Sequence, residues 1–102
     1  AVVGIDTCDF LSRYHVSACF LGAAGLSEAG VTEAVEGFAA VKRTMMRQSV
    51  ACRFLIDASK FGLTQLDVVA RFDEMDTLIS DRAPDRGLAT YLSEGGVRIL
   101  AP

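Results

Sequence analysis

The chain has 102 residues, half of them hydrophobic and 23% charged, with a formal net charge of −3. Those values fit one small globular domain with a modest core. They exclude the basic field that nucleic-acid binding by charge alone requires. No apolar run approaches the ~20 residues of a membrane span, and no charged-then-apolar leader ends in a cleavage site. A soluble, unexported protein is therefore expected. Cys8, Cys19 and Cys52 are odd in number, widely spaced and set among apolar neighbours. They read as small buried hydrophobes in a reducing cytoplasm, not as a disulfide framework. A zinc site needs close-spaced ligands, and His15 is the only histidine. The first residue is not Met, so the chain is expected to be a piece of a longer protein.

In chain order, Ala1-Val2-Val3 reads as the end of a strand. Gly4 to about Tyr14 reads as a helix, with Ile5, Cys8 and Leu11 on one side and Asp6 and Asp9 in its early turns. Val16 to Leu21 is nearly continuous in apolar residues and predicts a strand. Gly22-Ala23-Ala24-Gly25-Leu26 follows directly, and Gly30-Val31-Thr32 comes shortly after. Glycines there can turn the chain or let backbone N–H groups approach a ligand. This is neither a dinucleotide fingerprint nor a phosphate-binding P-loop, and no cofactor is expected. Thr32 is placed to cap a helix from about Glu33 to Ser49, whose stripe is Ala34, Phe38, Val41 and Met45. The start of that helix, just after the glycine loop, is a candidate anion seat.

Val50 to Ile56 is a short apolar run interrupted only by Arg53, which predicts a strand buried on both faces. Asp57, Ser59, Lys60 and Gly62 follow where that strand should end. In open α/β sheets ligands collect at the carboxyl ends of strands. There Lys60 can meet a phosphate or carboxylate as a point charge and Asp57 can accept hydrogen bonds from hydroxyls. The same residues also make an ordinary Asx-type turn with an exposed lysine. Leu63 to Phe72 suits either a short strand or an irregular crossing. Thr77 to Ser80 is a strand ending at Asp81. Pro84-Asp85 opens a last helix, ended by Gly95-Gly96. Val97 to Leu100 is the final strand. Strands alternating with helices imply a parallel sheet with right-handed crossovers.

The order of motifs carries a further message. Phe20-Leu21-Gly22-Ala23-Ala24-Gly25-Leu26, then Gly30-Val31-Thr32, then Val41-Lys42-Arg43-x-Met45, then Asp57-x-Ser59-Lys60-Phe61-Gly62, then Asp76-x-Leu78-Ile79-x-Asp81, resembles the C-terminal sensor domain of DeoR-type sugar-operon repressors. The resemblance runs from about Val3 to Leu100. It implies an α/β fold with a three-layer, open, mostly parallel sheet and flanking helices, similar to sugar-phosphate isomerases and CoA transferases. It also implies that the first half of the sensor domain and an N-terminal winged helix for DNA lie outside this chain. The effector it implies is a phosphorylated sugar or related metabolite. Carried over by position, the ligand-binding residues are Gly22, Gly25, Thr32, Lys42, Asp57 and Lys60. Such sensors often assemble, so a homo-oligomer is expected. Ala24, Gly37 and Phe38 stand where the family usually has polar residues, which points to a less polar or different effector.

Two other functions fit the same fold. An isomerase or deaminase would need a general base, for which Glu28, Glu33 and Glu36 are the nearby candidates. None sits in a recognisable catalytic motif, and the chain is not expected to be an enzyme. The other is an oligomerisation module without ligand, since an open sheet edge invites pairing.

Overall fold

A computed structural model describes residues 5–102. The predicted strand at Ala1-Val2-Val3 and the helix start at Gly4 lie outside the described residues. The elements run α1 (Ile5–Leu11), β1 (Val16–Leu21), β2 (Gly25–Ser27), β3 (Gly30–Glu33), α2 (Glu36–Arg47), β4 (Ser49–Leu55), β5 (Asp67–Ala70), β6 (Thr77–Ile79), α3 (Arg86–Glu94) and β7 (Arg98–Leu100). Single 3₁₀ turns span Ala58–Lys60 and Phe72–Glu74.

β1, β4, β6 and β7 form an all-parallel sheet in that order. Leu21, Phe54, Leu78 and Ile99 stand side by side across the four strands. Phe54 and Leu78 are wholly buried, and Cys19 and Cys52, also paired in register, are nearly so. Each step across the sheet goes in the same direction. Right-handed crossovers then put every connection on one face. α2, α3 and a small second sheet supply that cover, with Ala39, Leu92 and Val69 in the same core. Strand residues of opposite parity are bare: Val16, Phe20, Leu55 and Leu100 are 46%, 59%, 49% and 40% exposed. The described residues thus supply two layers of the expected three.

The second sheet has the order β2-β3-β5 and is antiparallel throughout. Its hairpin turns at Gly30, whose φ of 100° favours glycine. This hairpin occupies what the sequence presents as a glycine-rich loop. β3 runs through Glu33, so α2 starts three residues later than predicted. Thr32 is accordingly not its cap: Val35 is the N-cap residue and makes no side-chain cap bond. Thr32 is instead fully buried in β3, and its Oγ1 accepts from the Gln65 N–H at 2.9 Å. α3 begins as read, with the Asp85 carboxylate accepting from the Leu88 N–H at 2.9 Å, and the chain turns at Gly96 with φ 81°.

Candidate functional site

The carboxyl end of β1 opens onto a cavity of about 580 Å³. Each part of its wall follows from the local sequence. β1 stops at Leu21, and the turn Gly22-Ala23-Ala24 forms one side. α2 presents Phe38, Val41, Lys42 and Met45, spaced i, i+3, i+4 and i+7, as the opposite side. β4 ends at Leu55, and the 3₁₀ turn that follows brings Lys60 to the same cavity. Glu33, the last residue of β3, closes the base.

The electrostatics divide the two lysines. The Lys42 ammonium is bound by the Glu33 carboxylate and also donates to the Gly22 carbonyl at 2.7 Å. Glu33 is only 6% exposed, so its charge is balanced by Lys42 inside the wall. Lys60 is half-buried and, among the described residues, makes no ion pair or side-chain hydrogen bond.

Gly22, Lys42 and Lys60 therefore meet at one cavity, on the same rim of the sheet. The other three residues named from the sequence do not line it. Gly25 lies in β2, where a Cβ would collide with the Leu63 carbonyl and stand 2.8 Å from Thr32 Oγ1. Its lack of a side chain lets the 63–65 segment pass, while Thr32 pins that segment through Gln65. Asp57 is exposed and points to a neighbouring cleft of about 350 Å³ between the ends of β4 and β6, shared with Asp81. Its carboxylate accepts from the Ser59 hydroxyl, which, with the nearby Lys60 charge, holds its pKa below the ordinary aspartate value. Asp81 accepts from the Ala58 N–H at 2.7 Å and anchors the same turn. One turn thus sends its acid and its amine into two clefts.

Ala24 and Phe38, two of the three positions where the family usually has polar residues, line the cavity, and so does Glu33, which the sequence offered only as a nearby candidate base. Glu33 reads as the start of a helix only because β3 is too short to see. The candidate bases are not poised for chemistry: Glu33 is committed to Lys42, Glu28 and Glu36 are exposed, and Glu28 meets Tyr91 at 3.4 Å. Among the described residues no group of three His, Cys, Asp or Glu side chains could hold a metal ion, and no helix is long and apolar enough to cross a membrane.

The fold and site define an α/β domain with a ligand-sized, cation-bearing cavity at the carboxyl edge of a parallel sheet. The chain belongs to the DeoR C-terminal sensor domain family, whose model matches residues 1–82. It is similar to the HTH-type transcriptional repressor GlcR of Bacillus subtilis, 38% identical over 97 residues, covering 95% of this chain and 38% of that protein. The L-fucose operon activator of Haemophilus influenzae is 33% identical over 85 residues, covering 82% of this chain and 34% of the relative. The HTH-type transcriptional regulator GlpR of Haloferax volcanii is 28% identical over 101 residues, covering 98% and 40%. The chain thus spans well under half the length of these relatives, and their names describe transcriptional regulators, not enzymes.

Proposed function

We propose that this chain is the effector-sensing part of a DeoR-type sugar-operon regulator. A phosphorylated sugar or related small metabolite binds the cavity, its anionic group on Lys60 beside the Gly22–Ala24 turn. The single observation that carries this reading is Lys60, an ammonium with no ion pair or side-chain hydrogen bond among the described residues, lining a cavity on the carboxyl rim of the sheet. The class of the relatives supports the regulatory half of the proposal.

The mechanism is linkage. A ligand that binds one arrangement of the sensor better than another shifts the population and changes DNA affinity elsewhere in the protein. DNA contact belongs to a winged helix outside this chain, whose own net charge is −3. The remainder of the sensor domain completes the cavity and covers the bare sheet face, giving the three-layer fold. The full regulator works as a homo-oligomer in the cytoplasm.

The test is calorimetric titration of the full-length protein with phosphorylated sugars, alongside operator binding by fluorescence anisotropy. Lys60→Ala is expected to weaken effector binding at least tenfold and to blunt the effector's influence on DNA. Equal affinity in the variant and the parent would remove Lys60 from the site.

A further inference from the structure

The uncovered face of the parallel sheet is apolar except along one register row. Phe20, Arg53, Thr77 and Arg98 pair in turn across β1, β4, β6 and β7. Two residues further on, Leu55, Ile79 and Leu100 form an apolar row. No Asp or Glu occurs in any of the four strands. The Arg53 guanidinium lies 5.6 Å from the Phe20 ring centroid and, among the described residues, makes no ion pair or side-chain hydrogen bond. Thr77, its neighbour in register, is 9% exposed, and its hydroxyl makes no hydrogen bond among the described residues. Two donors thus stand side by side on this face, one of them charged, and the strands supply no acid to accept from them.

Parallel sheets are buried on both faces, and the crossover helices are what covers them. The relatives of this chain are more than twice its length, so they have further residues to supply such cover. Whatever packs on the apolar rows also takes Arg53 out of water. Arg98 lies on the edge strand β7 and can keep its charged head in solvent. Arg53 has no such exit, because β4 is flanked by β1 and β6. A guanidinium desolvated without a counter-charge is strongly unfavourable, and a carboxylate is its best partner because the planar fork takes both oxygens.

We infer that this face receives a helix of the same protein, from outside residues 1–102, which sets a carboxylate against Arg53 and the Thr77 hydroxyl. The pair fixes where along the sheet that helix sits. A second copy of the chain does not fit the place. In a twofold pairing the patch meets itself, which brings more guanidiniums and no acid. The isolated chain, with nothing better, associates through its apolar rows alone. The inference rests on the proposed reading of this chain as part of a longer sensor, and not on the effector.

The test uses the full-length protein. Arg53→Lys keeps the charge and offers an amine that a zero-length carbodiimide joins to a carboxylate touching it. Peptide mapping is expected to find position 53 joined to an Asp or Glu of the same chain outside residues 1–102. Arg53→Met leaves that carboxylate unpaired and should lower the urea midpoint by about 1 M. Arg98→Met, at the sheet edge, should lower it far less. If no cross-link forms at position 53 and Arg53→Met leaves the midpoint unchanged or raises it, the acid is absent: the inference fails and the cover stands as a wholly apolar one. If position 53 is joined only to a carboxylate of another copy, seen as a covalent dimer, the face is an interface between copies and both the intramolecular cover and the inference fall. Either failure is separate from effector binding, which Lys60→Ala reads.

Discussion

Lys42 Nζ bridges the Glu33 carboxylate and the Gly22 carbonyl, the latter at 2.7 Å, so one ammonium ties α2 to the ends of both β3 and β1. Glu33 is buried, and removing the cation paired with it leaves a poorly solvated charge without its counter-ion. Lys42→Met is therefore expected to destabilise the protein by about 2–3 kcal/mol. Glu33→Gln in the same protein should cost less, about 1 kcal/mol, because an amide oxygen still accepts from the ammonium. Urea denaturation of the two single variants and the double variant measures the coupling. Additive losses would show that the pair does not act as a unit.

Gly25 and Thr32 are paired across the β2–β3 hairpin, and together they hold the 63–65 segment from two sides. Gly25→Ala places a methyl against the Leu63 backbone carbonyl, which cannot move aside as a flexible side chain would. The expected loss is about 3 kcal/mol or more of stability. Effector affinity per folded molecule should fall far less than it does for Lys60→Ala, because the added methyl meets the 63–65 segment and Gly25 itself does not line the cavity. A large loss of affinity with unchanged stability would move Gly25 back into the binding surface.

The exposed side of the parallel sheet carries Val16, Phe20 and Leu55, with the Arg53 guanidinium 5.6 Å from the Phe20 ring centroid. Contiguous apolar surface of this kind drives association when left uncovered. Residues 1–102 expressed alone should therefore self-associate. Phe20→Ser with Leu55→Ser should shift sedimentation towards monomer without lowering the melting temperature. Unchanged sedimentation would mean that association uses another surface, such as the edge of β1, which pairs with no strand on its outer side among the described residues.

How much of this was legible in the sequence depended on how far each signal was local. β1 was readable to the residue because a nearly continuous apolar run at Val16–Leu21, broken only by Ser17, is a strand signal carried by the segment itself. The start of α3 was readable because Asp85 carries its own capping chemistry. The β2–β3 hairpin was not, because three- and four-residue strands rich in Gly and Ser lack any period and form only by pairing with β5. That one omission moved the start of α2, turned Thr32 into a false cap and hid Glu33. In the site, Lys60 and Gly22 followed from strand ends in a parallel sheet. The separation of Asp57 from Lys60 did not, because Asp57 is the extended residue just before the 3₁₀ turn and Lys60 the last residue within it, and that change of backbone conformation is not visible in the spacing.

Cys19 and Cys52 face one another on adjacent parallel strands, in the buried half of the sheet. Burial, the neighbouring Cys19 thiol and the Asp76 carboxylate push the Cys52 pKa up to about 12. Asp76 sits close because its Oδ2 accepts from the Cys52 N–H at 2.5 Å. The thiolate is the reactive form, so Cys52 should resist alkylation in the folded chain, whereas the partly exposed Cys8 should react. Peptide mapping after iodoacetamide treatment at pH 8 would show this directly. The same shift has a sign for stability. Unfolded Cys52 loses its proton near its ordinary 9.0, while the folded state keeps it to about 12. Between those values the unfolded chain binds fewer protons, so stability falls as pH rises from about 9. Cys52→Ala should flatten that alkaline slope, although its shortened side chain lowers stability at neutral pH. An identical slope in the variant would assign the alkaline loss to other groups.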